Sequence, residues 1–211
     1  MWRAFLYNAP ALSDSIRVAV LLDWQNVYEC GKEAFPGHGG PRNTNPLKIA
    51  QFLANDRQVA PGTRIDLASI SVFFGVASSE RDAKTHGARQ RQMQHWQSLT
   101  PRLHTVSRPL RYGSGMPIEK GIDVAIAIEL VRCAVFEPDC EVAILFSSDT
   151  DLLPALELIA KQKGPEAVEV AAWQGAAPAL RISGGVRIRQ HYLPEHVYRA
   201  CVDTRDYNLS L

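Results

Sequence analysis

The sequence predicts a single three-layer α/β domain, in which a mainly parallel sheet of five to six strands lies between two layers of helices. Three observations carry that prediction. Strand-like and helix-like stretches alternate along most of the chain, the order of a parallel sheet covered on both sides. The strand-like runs are β-branched and almost wholly apolar, as expected of strands buried on both faces. The chain has 211 residues, 46% of them hydrophobic and 21% charged, enough for one sizeable core.

The elements follow in order. RVAVLL (17–22) is the first strand, and the Gly/Pro/Asn-rich stretch 36–46 after it is a loop. PLKIAQFLAND then reads as a helix: Pro46 suits a first turn, and Leu47, Ala50, Phe52 and Leu53 share an apolar side. IDLASISVFFGV (65–76) is the second strand, the Arg- and Gln-rich 79–98 an exposed helix, and LHTVSRPL (103–110) the third strand. Gly121 to Phe136 forms a strong helix stopped by Pro138, with Ile122, Ala125, Ile126, Val131 and Val135 on its apolar side. EVAILF (141–146) is the fourth strand, 150–163 a helix closing at Gly164, and AVEVAAW (167–173) the fifth strand. A short segment around 175–183 is read as helical, VRIRQHYL (186–193) alternates like an edge strand, and Pro194 opens a terminal helix to about 203. The division is an extension over 1–16, the domain over 17–185, and a C-terminal strand and helix over 186–211 packed on it.

Bulk properties exclude several classes. No apolar run approaches the ~18–20 residues of a membrane span. Residues 1–12 lack the continuous apolar core and cleavage site of a signal peptide. Cys30, Cys133, Cys140 and Cys201 are scattered, without the spacing of a zinc site or a disulfide framework, which fits a reducing cytoplasm. The net charge is +1, yet Arg81 to Arg111 hold seven Lys/Arg against Asp82 alone. That stretch is either a solvated helix face or a phosphate-contacting surface.

Acids collect where strands end. The first strand runs into Asp23, the fourth into Ser147-Ser148-Asp149-Thr150-Asp151, and Asp123 lies in the first turn of the helix that leads to the fourth strand. In open α/β sheets the working crevice lies at the carboxyl ends of the strands. Singly, each acid reads as a cap or a dipole partner. Together, carboxylates within ~5–8 Å raise one another's pKa at ~1.4 kcal/mol per unit. A hard divalent cation, Mg²⁺ or Mn²⁺, resolves that conflict, since it prefers all-oxygen ligands shared with substrate phosphates. Hydrolysis of a phosphodiester is the chemistry such a site supports.

VAVLLDWQNVY (18–28), EKGIDVAIAIELV (119–131) and AILFSSDTDLLPALELIAKQKG (143–164) together resemble the NYN domain family, which includes the LabA-like proteins and belongs to the PIN-like ribonuclease group. The resemblance implies a Rossmann-like PIN fold and metal-dependent endonuclease activity on RNA, with a single strand as the expected substrate. It implies that Asp23, Asp123, Asp149 and Asp151 are the catalytic, metal-binding set, supported by Asn26, Lys120, Ser147 and Ser148. Two departures stand out. Ser148 replaces a glycine of the usual S-G-D, and Glu129 stands where relatives carry Asp. Six residues from Asp123, Glu129 falls about 240° around the helix, on another face.

D-T-D also resembles the nucleophile motif of haloacid-dehalogenase-like phosphatases, but that motif belongs on a first strand near the N-terminus, and the chain after Asp151 carries no later acidic pair of that type. The second function class is a catalytically silent PIN-like module that binds nucleic acid or protein, which retention of all four acids disfavours. Arg42, Arg108 and Arg111 are the candidates for phosphate contact. Trp24 reads either as a base-stacking or a core residue, and Trp96 and Tyr112 share that ambiguity. His191 and His196 flank Pro194 in a surface-like segment and are not read as metal ligands. The partner expected is RNA, with no membrane and with a second copy of the chain as a further candidate.

Overall fold

The computed structural model describes residues 15–37, 43–57, 61–113 and 116–209. Six strands form one sheet: β1 Ser15–Asp23, β2 Arg64–Val76, β3 Leu103–Pro109, β4 Val142–Phe146, β5 Val168–Trp173 and β6 Arg189–Leu193. Their order is β3-β2-β1-β4-β5-β6, and every neighbouring pair is parallel. The helices are α1 Trp24–Ala34, α2 Pro46–Asp56, α3 Ala83–Leu99, α4 Ile122–Val131, α5 Leu153–Lys163 and α6 Glu195–Cys201.

The period of two along the strands divides the interior into two cores. Val18, Val20, Leu22, Val142, Ile144 and Phe146 join Trp24, Ile49, Trp96 and Tyr198 on the face covered by α1, α2, α3 and α6. Ala19, Leu21, Ala143 and Leu145 join Ile126, Leu130, Leu156 and Ile159 beneath α4 and α5. This is the three-layer architecture expected, with six strands and no antiparallel pair within the sheet.

Four local expectations need correction. The helix α1 was not anticipated. Its buried positions are only Trp24, Val27 and Gly31, too few to stand out as a periodic stripe. Segment 175–183 is turn and irregular chain rather than helix: Gly175 has a positive φ of 91° and Pro178 lacks a donor, while Ala179 and Leu180 pin the segment to the second core. The long helix from 121 is α-helical only to Val131 and ends in a π turn over Arg132–Phe136. His191 is not at the surface but 0% exposed, held between Asp56 and Glu169 at 2.7 Å each.

Candidate metal centre

From β1 the chain winds outward to β2 and β3 on one side, and from β4 outward to β5 and β6 on the other. The adjoining carboxyl ends of β1 and β4 therefore form the switch point of the sheet, where α/β folds keep an open crevice. β1 ends in Asp23 and β4 runs directly into Ser147.

Two side chains tie these ends together. Asp23, 7% exposed, accepts the Asn26 N–H at Oδ1 (3.2 Å), which caps α1, and the Ser147 hydroxyl at Oδ2 (2.8 Å). The Ser147 oxygen accepts the Asp149 N–H at 3.1 Å, and the Asn26 Oδ1 accepts the Ser148 N–H at 3.1 Å. The loop after β4 is thus fixed by Asp23 and Asn26. Asp149 then caps a short 3-10 turn over Thr150–Leu152 by accepting the Asp151 N–H at 2.9 Å. Ser148 sits there without strain, since no described residue other than glycine has a positive φ.

Asp123 arrives from the other side. Gly121 enters α4 with φ 80°, a left-handed conformation that favours glycine, and Asp123 follows in the first turn. The carboxylates of Asp123, Asp149 and Asp151 converge so that one oxygen from each lies within 4.8 Å of the others. Asp23 is not one of the three; it lines the same cleft as Asp123 and Asp149, a space of about 550 Å³. The donor set is all carboxylate oxygen, with no histidine or thiol in it, which fits a hard divalent cation.

Electrostatics agree with that fit. Burial pushes the Asp23 carboxyl up to about 6 despite its bonds from Ser147 and Asn26, and the charges of Glu119 and Asp149 add to the rise. Burial also raises Asp123, with Asp149 and Asp151 pushing the same way. Like charges held this close keep their protons longer, or share a cation.

Glu119 was missed. It lines the cleft, and its Oε1 accepts the Gly75 N–H of β2 at 2.7 Å. Burial raises its carboxyl, opposed by Gly75 and Arg89, with Asp123 adding to the rise. A Cβ on Gly75 would lie 2.7 Å from the Glu119 carboxylate, so the close approach requires glycine. The sequence E-K-G preceding the helix was the signal available.

The basic residues divide. Lys120, Arg108 and Arg111 are exposed; Arg108 pairs in register with Gly75, and Arg111 bridges to Ile118 on the cleft wall. Arg42 lies outside the described residues. Within the basic stretch, Arg102 pairs with Asp66, Arg91 donates to the Tyr207 carbonyl (2.8 Å), Arg81 covers the Tyr112 ring and Arg89 the Phe74 ring. Much of that charge is therefore engaged within the molecule. Trp24 and Trp96 are core residues in edge contact, and Tyr112 accepts the Ser78 N–H. Glu129 pairs with Arg132 at 2.7 Å on its own face of α4.

A doubly wound parallel sheet with a carboxylate cluster at its switch point defines an α/β domain of the PIN-like nuclease type. The NYN domain family model matches residues 17–184, and the chain belongs to that family, whose members are usually nucleases acting on RNA. Comparison with curated proteins finds no match. Among the described residues no helix is long and apolar enough to cross a membrane.

Proposed function

We propose that this chain is a metal-dependent endoribonuclease that hydrolyses phosphodiester bonds of single-stranded RNA in the cytoplasm. The observation that carries the reading is the convergence of Asp123, Asp149 and Asp151 within 4.8 Å at the switch point. These three would hold Mg²⁺ or Mn²⁺, and Asp23 completes the acidic set from the same cleft. A hard cation bound there supplies charge stabilisation at the phosphate and a lowered pKa for its water.

The chain's own groups hold that arrangement. Asp23 fixes Ser147, Ser147 fixes the Asp149 N–H, and Asn26 fixes the Ser148 N–H, so two carboxylate-bearing segments cannot drift apart. Glu119 closes the side of the cleft nearest β2 and keeps anionic substrate away from that wall. Arg108, Arg111 and Lys120, exposed around the mouth, draw the RNA backbone in by charge.

The test is cleavage of a labelled single-stranded RNA with Mg²⁺, Mn²⁺ or EDTA, beside Asp149→Asn. Metal-dependent cutting that falls on the order of 100-fold or more in the variant supports the reading. RNA binding without cutting, indifferent to Asp149→Asn, would establish the silent binding module instead. Arg108→Glu with Arg111→Glu should lower RNA affinity and flatten its salt dependence by roughly one unit of slope per lost phosphate contact.

A further inference from the structure

A second cleft, about 500 Å³, opens beside the metal centre and shares Gln25, Glu29 and Glu119 with it. Its walls include Trp24 and Tyr28 of α1, Arg89 and Gln92 of α3, and Arg205 to Asn208 of the C-terminal segment. The Arg91 Nε–H donating to the Tyr207 carbonyl at 2.8 Å holds that last wall against α3. The volume is that of a small-molecule site.

The lining selects the ligand's character. Glu29, Glu119 and Asp206 outnumber Arg89 and Arg205, so a phosphate is disfavoured. Tyr28 and Tyr207, both only partly buried, present aromatic surface that suits a flat neutral ring, while Trp24 and Phe74 are buried in the core behind the wall. One polar group in the wall is buried and unused. Gln92 is 3% exposed, and its Oε1 accepts from the Arg89 guanidinium. A guanidinium only donates, so this contact fixes the amide orientation. It leaves the Gln92 Nε2 without a partner among the described residues. A buried donor left unpaired is costly, and a ligand with a ring nitrogen or carbonyl acceptor would relieve it.

We propose that this cleft is a base-binding subsite, which takes the nucleobase of a nucleotide adjoining the scissile phosphate and reads it through Gln92 and the Tyr28 and Tyr207 rings. The inference rests on the ribonuclease reading for its position along an RNA strand, but the subsite binds a base without metal or cleavage. It gives the C-terminal segment a direct part in substrate recognition.

The test is titration of the full chain, in EDTA, with uridine, cytidine, guanosine, adenosine and inorganic phosphate, followed by ¹H–¹⁵N NMR. At least one nucleoside should perturb the Trp24 indole and the Gln92 side-chain amide, and phosphate should perturb neither. Gln92→Leu, close in shape, should weaken that nucleoside about tenfold, the equivalent of 1.4 kcal/mol. Tyr28→Ala, on a half-exposed helix face, should weaken it at least fivefold and guards against misfolding of the buried variant. No nucleoside perturbation at millimolar concentration, or binding equal in wild type and both variants, overturns the subsite whether or not RNA is cut. Nucleoside binding that depends on Gln92 in a protein that cuts no RNA would keep the subsite and sink the nuclease reading.

Discussion

Asp23 is buried, caps a helix and stands among other carboxylates, conditions that pull its proton in opposite directions. Burial wins, and the folded carboxyl titrates near 6 against the ordinary 3.8. Between those values the folded chain binds more protons than the unfolded one, so stability falls as pH rises through that window. Above it the penalty is complete, and about 2 units at ~1.4 kcal/mol each bound it at about 3 kcal/mol. Asp23→Asn should therefore unfold at a higher temperature than wild type at pH 7.5, with the difference shrinking towards pH 4.5, while RNA cleavage falls. Thermal unfolding across that range measures it; a variant less stable than wild type at pH 7.5 would mean that the Ser147 and Asn26 bonds outweigh burial. Mn²⁺ should raise the wild-type midpoint and raise it less in Asp149→Asn, because a ligand of the folded state stabilises by mass action. The acids were legible in the sequence because a strand that ends in Asp leaves it at a known edge of the sheet. Glu119 and Gln92 were not, since their roles come from contacts with Gly75 and Arg89, residues 44 and 3 positions away that carry no local signature of a site.

At the scale of elements, α1 shows why an end signal can mislead. The sequence offers Asp23 as a metal ligand or, taken singly, as a cap; in the structure it caps α1 and also lines the cleft, so one carboxylate both opens the helix and faces the cleft. The first five strands were legible to within two residues, mostly from apolar runs, whereas the alternating sixth begins at Arg189 rather than 186. The entry to α4 is a more delicate element. Gly121 holds a left-handed φ with open space around its missing Cβ, so Gly121→Ala costs only backbone strain, roughly 1–2 kcal/mol. For a chain of this size that is a midpoint lower by about 2–8 °C, and Asp123 should shift enough to weaken Mn²⁺ binding, read by calorimetry. An unchanged midpoint would show that the turn tolerates a side chain. α4 is also apolar beyond its buried Ile122, Ile126 and Leu130: Val124 and Ile128 are exposed, and Ile128 shares a groove with the exposed Phe136 and Leu158. As a solvated position, Ile128→Glu should change stability by no more than about 0.5 kcal/mol. A loss above about 1 kcal/mol, together with a halved mass in sedimentation, would mark this face as covered by a second copy.

Across the whole molecule, the two ends of the sheet carry charge in opposite ways. At the carboxyl end Asp123, Asp149 and Asp151 converge, and among the described residues none of the three is in an ion pair, which is a tension that binding can relieve. Towards the amino end, where β5 begins, acids and bases meet directly: Glu169 accepts from Arg57 (3.0 Å) and meets His191 (2.7 Å), and His191 also meets Asp56, the last residue of α2. That network joins α2, β5 and the edge strand β6, so it fastens the C-terminal strand to the body of the fold. The sequence hid it because its members are 135 and 22 positions apart and His191 lies in an alternating, surface-like run. Removing His191 leaves Glu169 paired with Arg57 and the Asp56 side chain open to water, so the loss is that of hydrogen bonds to the buried ring, about 1–3 kcal/mol. His191→Leu should therefore lower the unfolding midpoint by roughly 2–12 °C, while cleavage per folded molecule at low temperature stays near wild type, because the candidate centre lies at the other end of the strands. The same variant should loosen β6 first, so amide hydrogen exchange at Tyr192 and Leu193 should quicken ahead of β1 and β4. Uniform quickening across all six strands would mean instead that the sheet unfolds as one unit and that the network stabilises the whole rather than its edge.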